Sequence, residues 1–284
     1  MTLLQSILLG LVQGLTEFLP VSSSGHLAIL HSLFGLDSGE NIVAFDLLLH
    51  LGTLIAVFIV FYKDIWALIK AFFSLIGKLF TGKLKSRGLA SDERFVVFVI
   101  VATLPLVVVK VLGFDSIVEK LSASLFAVGV ILLVNGFVLF VSDKFGRGSK
   151  TIDGSKWYHA LTIGLCQMFA VLPGLSRSGS TITGGLMTGL DRQSAVRFSF
   201  ILSIPAIIGA SIFEVPDLFA QHTDPAQWAV YLAGMAVAAI VGVFAMKLLK
   251  YIAQKSNFRI FSYYCWAVGA VAVVYSLVEF AASK

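Results

Sequence analysis

The sequence predicts an all-α integral membrane protein with an inverted-topology repeat, and three observations support this fold class. The chain is 58% hydrophobic and 13% charged, whereas soluble domains carry about 25% charged residues. Six apolar runs are each long enough to cross about 30 Å of hydrocarbon. One short polar pattern occurs twice, 154 positions apart. We therefore expect one integrated membrane domain, with a first repeat at 1–150 and a second at 151–284.

Six membrane spans follow from the apolar runs, and the charges of their loops orient them. The spans are predicted at 42–62, 95–113, 121–141, 195–213, 228–246 and 260–281. Lysines and arginines concentrate in the loops 63–94, 142–157 and 247–259, whereas the alternate loops are poor in basic residues. Basic loops stay in the cytoplasm, so both termini are expected outside. The stretch 63–80 is expected to be an amphipathic helix on the cytoplasmic surface.

The composition also argues against several other classes of protein. The net charge of +5 resides mostly in loops, so no nucleic-acid partner is expected. Cys166 and Cys265 lie in apolar stretches, which indicates neither a disulfide framework nor a metal site. No Lys or Arg precedes Lys63, so the N-terminus lacks the basic region of a signal peptide. The expected surroundings of the chain are the bilayer itself.

Two regions, about 1–35 and 157–192, are left with an even number of crossings each. Each contains a helix, a break rich in Pro, Ser and Gly, and a second helix, and the simplest arrangement is a re-entrant hairpin. Three spans follow each hairpin, and because three is odd, the two halves have opposite orientations. Sites in such repeats typically lie near the midplane on broken helices. Non-helical backbone at that depth is tolerated where it lines a wet cavity, so two polar tips facing one cavity are expected.

The repeated pattern lies in these two hairpins. The first copy covers 10–13 and 20–26, and the second covers 164–167 and 173–180. The shift superposes Gln13 on Gln167, Ser22 on Ser176, Ser24 on Ser178 and Gly25 on Gly179. The two copies differ at three aligned positions: Ser23 aligns with Arg177, His26 with Ser180, and Glu17 with Val171. An acid, a serine and an imidazole on one tip, with a guanidinium on the other, outline a phosphate site.

Glu17 lies in a stretch almost free of other charges. A charge inside the membrane costs about 2.5–3.5 kcal/mol on insertion scales, so it indicates a functional residue; the alternative is a carboxylate that only caps a helix end. Gln13 lies four residues earlier, so both side chains share one helix face. Two oxygen-bearing side chains at this spacing suit Mg²⁺, which favours few carboxylates plus substrate phosphate.

The first tip contains three serines and a glycine directly before an apolar helix. Serines at this position either cap the helix or form an anion pocket together with backbone N–H groups. His26 lies three residues after Ser23, which allows a base beside a nucleophile. We expect Ser22, Ser24 and Gly25 to bind the substrate.

The second tip contains Arg177. A guanidinium at membrane depth needs an anionic partner, and its planar fork suits bidentate phosphate binding. The neighbouring residues supply further donors. The residues of this tip that are expected to bind substrate are Ser176, Ser178, Gly179 and Thr181.

Three further polar residues are less diagnostic. Asp46 and His50 share a face of the first span, where they either line the cavity or pair with each other near its outer end. Asn135 is expected to be a helix-packing residue rather than a ligand.

The motifs QGLTEFLPVSSSGH and PGLSRSGSTITGG closely resemble the two signatures of the undecaprenyl-diphosphate phosphatases of the bacitracin-resistance type. The resemblance extends over essentially the whole chain. It implies a multi-pass enzyme of the bacterial inner membrane that removes the terminal phosphate of a polyprenyl diphosphate lipid and so recycles the carrier for cell-wall synthesis. It also implies dependence on Mg²⁺ or Ca²⁺ and an active site that faces the periplasm. The sequence has Gln13 at the first acidic position of the (E/Q)xxxE element.

Under this resemblance, Arg177 and nearby amides bind the phosphates, and Glu17 with Gln13 holds the metal. Ser23 is the favoured nucleophile and His26 its base; alternatively, His26 attacks directly or activates water. An inverted-repeat lipid flippase or secondary transporter is the alternative function, but transport alone does not require a serine, a histidine and an acid opposite an arginine. A second superfamily of membrane lipid phosphatases is disfavoured, because its histidine after the SR element is missing here. The oligomeric state stays open, with a homodimer as one option.

Overall fold

The computed structural model shows an α-helical protein. The residues that it describes are 1–36, 40–82, 89–146, 148–220, 225–255 and 258–282. Among these residues it contains helices and no strand. The helices are α1 (Leu3–Phe18), α2 (Ser23–Leu33), α3 (Glu40–Phe80), α4 (Ser91–Val111), α5 (Asp115–Ser122), α6 (Leu125–Ser142), α7 (Trp157–Phe169), α8 (Arg177–Met187), α9 (Arg192–Ala220), α10 (Pro225–Lys255) and α11 (Arg259–Ala282).

Six of the described helices are long and apolar enough to cross a membrane, namely α3, α4, α6, α9, α10 and α11. The prediction of an all-α integral membrane protein is therefore confirmed. The basic loop residues Lys83, Lys85 and Arg87 and the acidic Asp224 lie outside the described residues. The predicted orientation in the bilayer stays a prediction.

The first predicted span and the predicted helix at 63–80 are two helical segments that meet at a kink, and together they are labelled α3. This helix is kinked at Phe61, where φ of −114° and ψ of 21° leave the helical region. Its 41 residues extend about 60 Å at 1.5 Å per residue, which is twice the thickness of the hydrocarbon layer, about 30 Å. The kink therefore divides α3 close to the predicted boundary.

The third span begins at Leu125, four residues later than predicted. The preceding residues form the separate short helix α5. Ser124 caps α6 by accepting a hydrogen bond from the backbone N–H of Ala127 (3.3 Å). A serine at this position starts a helix because its side chain satisfies one of the free N–H groups of the first turn.

Both predicted hairpins are helix–break–helix units in the structure. The first break lies at residues 19–22 between α1 and α2, and the second at 170–176 between α7 and α8. The two breaks end in equivalent caps: Ser22 accepts from the N–H of Gly25 (3.3 Å), and Ser176 accepts from that of Gly179 (3.1 Å). The repeated sequence pattern therefore produces repeated local structure.

The helices of the two halves pack against each other in a reciprocal way. α1 packs against α10 of the other half, and its counterpart α7 packs against α4. The first spans α3 and α9 contact each other, as do the third spans α6 and α11. As a result, the first helix of each hairpin is held by the opposite half.

The contact between α1 and α10 requires small residues. Gly10 lies directly against the backbone of Gly234, and a Cβ added at Gly10 would overlap its carbonyl oxygen. On the reciprocal contact, Gly164 of α7 lies against the backbone of Ala102. Small residues allow helix backbones to approach closely inside a membrane, so these glycines set the positions of both hairpins.

The main apolar core lies beside the first tip. Phe18 is 1% exposed and packs edge-on against Phe200 of α9, with ring centroids 5.6 Å apart. Phe200 in turn contacts Phe61 at the kink of α3. Because Phe18 directly follows Glu17, this packing fixes the end of α1 and, with it, the position of the carboxylate.

Candidate active site

The tips of the two hairpins meet at a cavity of ≈ 280 Å³. Its apolar wall comes from α4, α9 and the second break. The polar residues that line it are Thr16, Glu17, Ser22, Ser23, Ser24, His50, Gln167, Ser176 and Arg177. The cavity therefore combines a polar end, built by both halves, with an apolar wall.

Glu17 is the centre of the polar end. Its carboxylate is buried, with 6% of the residue exposed. Oε2 accepts hydrogen bonds from the hydroxyl of Ser23 (2.6 Å) and from Nε2 of Gln13 (3.1 Å). Oε1 pairs with a guanidinium nitrogen of Arg177. Nε2 of His50 lies 3.8 Å from Oε2. A serine hydroxyl that donates to a buried carboxylate has the geometry of a nucleophile beside a base.

The helices α2 and α8 both begin beside this region, where Ser23, Ser24 and Arg177 line the cavity. The N–H groups of Ser23 and Ser24 begin α2, and those of Arg177 and Ser178 begin α8; none of the four has an acceptor among the described residues. Helix N-termini with free N–H groups attract anions through these donors and the helix dipole. With Arg177, the site presents two helix N-termini and one guanidinium to an anion.

Asn135 of α6 holds the two breaks together. Its Nδ2 donates to the carbonyl of Pro20 (3.1 Å), and its Oδ1 accepts from the N–H of Ser176 (3.0 Å). Nδ2 also approaches the sulfur of Cys265 (3.3 Å). The hydroxyl of Ser178 adds a direct contact between the tips by donating to the carbonyl of Leu19 (3.2 Å). Asn135 is thus more than the helix-packing residue that the sequence predicts.

His26 does not contact Ser23, contrary to the predicted pairing of base and nucleophile. Its Nδ1 lies 2.7 Å from the carbonyl oxygen of Ser22, and its Nε2 lies 2.8 Å from the hydroxyl of Tyr264 on α11. The two rings are stacked, with centroids 5.5 Å apart. The physical reason is the start of α2: the carbonyl of Ser22, four residues before His26, attracts the imidazole N–H away from Ser23. The carboxylate of Glu17 occupies the place predicted for the imidazole.

The structure brings only part of the predicted substrate-binding set to the cavity. Ser22, Ser24 and Ser176 line it. Gly25, Ser178, Gly179 and Thr181 do not line it, because helix caps use the N–H groups of the two glycines and packing contacts use the two hydroxyls. The N–H groups of Gly25 and Gly179 bind the caps Ser22 and Ser176, the hydroxyl of Ser178 binds the first break, and that of Thr181 contacts Ser199 (2.7 Å) and its own helix.

The alternatives for Asp46 and His50 are resolved by their separate partners. Asp46 lies 3.5 Å from Nε2 of His31. Nδ1 of His50 donates to the carbonyl oxygen of Asp46 (2.7 Å), and Nε2 of His50 lies on the side of Glu17. His50 is therefore the member of this pair that lines the site.

Gln167 is a residue of the site that the sequence analysis used only as a marker of the repeat. It is 1% exposed and lines the cavity. Its Nε2 points to the carbonyl of Ala102 (3.4 Å), and its buried Oε1 has no partner among the described residues. Its alignment with Gln13 was the signal that could have identified it.

The residues around Glu17 fit Mg²⁺ only together with a phosphate ligand. Among the described residues, no group of three His, Cys, Asp or Glu side chains could hold a metal ion. Glu17 provides one carboxylate, and Gln13 provides a buried Oε1 that has no hydrogen-bond partner in the described structure. Mg²⁺ is typically bound by one or two carboxylates plus substrate phosphates and water. Glu17 and Gln13 are therefore compatible with the metal, and a phosphate would supply much of its coordination.

A comparison with family models identifies the chain. The model described as bacitracin resistance protein BacA matches residues 6–271. The chain belongs to this family. All the residues that line the cavity lie inside the matched segment, and the resemblance that the two motifs indicated is confirmed.

Curated relatives from the bacitracin-resistance family match nearly the full length of the chain. The protein from Methanobrevibacter smithii is 44% identical over 280 residues, which cover 98% of this chain and 99% of the relative. The protein from Alkaliphilus metalliredigens is 40% identical and covers 98% and 100%, respectively. That from Methanosphaera stadtmanae is 42% identical and covers 97% and 99%. All three are named undecaprenyl-diphosphatase.

Proposed function

We propose that the chain hydrolyses undecaprenyl diphosphate to undecaprenyl phosphate and inorganic phosphate. The observation that carries this proposal is the 2.6 Å hydrogen bond from Ser23 to Glu17, between two helix N-termini and beside Arg177. A flippase or transporter needs to bind the lipid but gains nothing from a hydroxyl poised on a carboxylate. The names of the full-length relatives point to the same reaction.

Binding of the diphosphate follows from the charges of the site. The terminal phosphate lies at the starts of α2 and α8, where free N–H groups and the helix dipoles favour an anion. Arg177 adds a planar fork that matches phosphate oxygens. In the resting structure this guanidinium pairs with Glu17, so an incoming phosphate shares Arg177 with the carboxylate. The apolar wall of the cavity provides a surface for the first part of the isoprenoid tail.

The reaction proceeds in two steps. Glu17 takes the proton of Ser23 while the serine oxygen bonds to the terminal phosphorus, and the bond from that phosphorus to the bridging oxygen breaks. Undecaprenyl phosphate leaves as an anion and needs no proton. Glu17 next releases the proton of Ser23 to solvent. Water then attacks the phosphorus of the phosphoserine while Glu17 takes a proton from the water. The bond from phosphorus to the serine oxygen breaks, the serine oxygen receives the proton from Glu17, and inorganic phosphate leaves. Positioning and electrostatic stabilisation dominate phosphoryl transfer, and Arg177 with the helix N-termini supplies both.

A divalent cation completes the proposed site. Glu17, with Gln13 behind it, would hold Mg²⁺ or Ca²⁺ against the substrate phosphates. A bound cation would supply additional stabilisation of the charge on the phosphoryl oxygens. Without a bound cation, Gln13 also orients Glu17, because Nε2 of Gln13 donates to Oε2 of Glu17 (3.1 Å).

The chain is proposed to work as a multi-pass protein of the bacterial inner membrane, with the site open to the periplasm. Both features follow from the family resemblance, and the excess of lysine and arginine in the basic loops supports a cytoplasmic position for those loops. The diphosphate lipid enters sideways from the bilayer, with its headgroup at the tips and its tail along helix surfaces.

The deciding experiment measures phosphate release by the purified protein from a C55 diphosphate lipid, with and without EDTA. We expect one inorganic phosphate and one C55 monophosphate for each diphosphate consumed, loss of activity in EDTA, and recovery with Mg²⁺. Lipid binding without phosphate release would overturn the hydrolase function. Full activity in EDTA would reject the requirement for a divalent cation but would leave the hydrolase function supported.

A further inference from the structure

A chain of three groups connects α11 of the second half to the backbone of the first tip. The hydroxyl of Tyr264 lies 2.8 Å from Nε2 of His26, and Nδ1 of His26 lies 2.7 Å from the carbonyl oxygen of Ser22. The tyrosine and histidine rings are nearly parallel, with 5° between their planes. His26 is 8% exposed, so the imidazole is held on two edges and one face.

The end of this chain is the most unusual backbone position in the tip. Ser22 has φ of 72° and ψ of 98°, and it is the only non-glycine residue with positive φ among the described residues. L-residues rarely adopt this conformation unless their surroundings enforce it, and such residues cluster at functional sites. Ser22 immediately precedes Ser23, so the conformation of Ser22 sets the direction in which the Ser23 peptide and side chain project.

The carbonyl of Ser22 is held by two donors from one residue. It accepts the backbone N–H of His26 (3.3 Å) and the imidazole N–H at Nδ1 (2.7 Å). A carbonyl can only accept, so Nδ1 carries a proton, and Nε2 of the neutral ring accepts a hydrogen bond from the hydroxyl of Tyr264. Both ring nitrogens are thereby engaged, and neither is available to Ser23.

We propose that His26 and Tyr264 are positioning residues: they hold the strained backbone of Ser22 so that Ser23 faces Glu17. This inference rests on the proposed hydrolase function and replaces the role of His26 as a base. The tyrosine fixes the imidazole, the imidazole fixes the Ser22 carbonyl, and the carbonyl fixes the nucleophile. The second half of the protein thus contributes to the alignment of the serine on the first half.

The test compares His26→Asn with His26→Gln and His26→Ala in phosphate release from the C55 diphosphate. The amide nitrogen of Asn can occupy the place of Nδ1 and still donate to Ser22, whereas Gln and Ala cannot donate there. We expect Asn to retain kcat within about tenfold of wild type, and Gln and Ala to lose more, since one hydrogen bond is at stake. The KM should change little in all three, because His26 does not line the cavity.

Tyr264→Phe keeps the stacked ring and removes only the hydroxyl. We expect a fall in kcat of about three- to tenfold, again the effect of one hydrogen bond, with unchanged KM and an unchanged ascending limb of the pH–rate profile. The matched control is Tyr263→Phe. Tyr263 is the neighbouring tyrosine on α11, is 58% exposed and packs against Trp266, and its loss of a hydroxyl should leave kcat at the wild-type value.

Two results would overturn the positioning role. The first is a His26→Asn variant that is as inactive as His26→Ala and whose pH–rate profile has lost its ascending limb. This result would indicate that His26 acts as a base, since an amide cannot take up a proton as an imidazole does. The second is wild-type kcat in Tyr264→Phe. Failure of the hydrolase function itself is distinct, because wild type would then release no phosphate. Because His26→Ala could also misfold, monodispersity in detergent is checked for each variant, and His26→Asn and Tyr264→Phe decide the question without it.

Discussion

The contact between Ser23 and Glu17 predicts strong coupling between these two residues. The perturbations are Ser23→Ala, Glu17→Gln and the double variant. A general base contributes about 10²–10⁴-fold to a rate, which corresponds to about 2.7–5.4 kcal/mol of transition-state stabilisation. We expect Glu17→Gln to lose activity within this range. Ser23→Ala should lose at least about 10³-fold, since removal of a nucleophile leaves only binding and electrostatic stabilisation.

The double variant distinguishes a catalytic unit from two independent contributions. When two residues act in one step, removal of the second costs little after the first has gone. The double variant should therefore have the activity of Ser23→Ala within about threefold, rather than the product of both losses. The hydrogen bond of 2.6 Å is the structural reason for this expectation.

The carboxylate of Glu17 also carries the charge that balances Arg177, so its replacement affects folding. Breaking a buried ion pair costs about 3–5 kcal/mol. Glu17→Asp provides a check that keeps the charge but withdraws the carboxylate by about 1.5 Å, the length of one carbon–carbon bond. A displacement of about 1 Å can cost about 10²-fold in rate, so Glu17→Asp should be folded, paired with Arg177 and slow.

The assay is single-turnover and steady-state phosphate release from the C55 diphosphate in detergent. Ser32→Ala is the matched control, because Ser32 is the exposed serine at the far end of α2, and this variant should turn over like wild type. Retention of more than about a tenth of the wild-type rate by Ser23→Ala would reject the serine nucleophile. Strictly multiplicative losses in the double variant would reject Glu17 as its base.

Three further predictions test other parts of the structure. Arg177→Lys keeps the charge but loses the planar fork, so kcat/KM should fall at least about tenfold, or roughly 1.4 kcal/mol, in a protein that still folds; wild-type turnover would make the arginine dispensable for phosphate binding. Gly10→Ala pushes a methyl group into the backbone of α10 and should lower stability by about 1–3 kcal/mol, measured as the unfolding transition in detergent; Gly77→Ala, which has open space, is the control, and equal transitions would refute the close packing. In a chain without native cysteines, an impermeant thiol reagent added to intact cells should label Asp224→Cys and miss Lys83→Cys, and the reverse pattern would invert the topology.

The sequence predicts the membrane fold well because hydropathy and the repeated pattern are both local signals. Each of the six predicted spans coincides with a long apolar helix, although α10 continues to Lys255, nine residues beyond the predicted end of its span, and each of the two broken regions is a helix–break–helix unit. The main error concerns the third span, which begins four residues later than predicted. The cap at Ser124 separates this span from α5, and the apolar run alone does not show where one helix ends and the next begins.

In the candidate site, local signals predict which residues take part, whereas tertiary contacts decide how they are arranged. Glu17, Ser23 and Arg177 could be found because a charge, a serine cluster and a guanidinium are conspicuous in an apolar stretch. The contacts of Glu17 with Ser23 and Arg177 could not be found from the sequence, because they depend on how the two tips meet. Spacing suggested His26 as the base, but the carbonyl of Ser22 and a tyrosine 238 residues away direct its ring elsewhere.

The contacts of Asn135 limit which substitutions this fold tolerates at position 135. The side chain of Asn135 donates to the first tip and accepts from the second, so this position needs both the amide NH₂ and the amide oxygen. Aspartate would lose the donor, lysine the acceptor, and leucine both, and each loss leaves buried backbone groups unpaired at about 1–3 kcal/mol each. The two tips carry the same sequence pattern with different polar side chains, and Asn135 holds their backbones together without lining the cavity. A substitution that shifts the backbone of one tip therefore also disturbs the other.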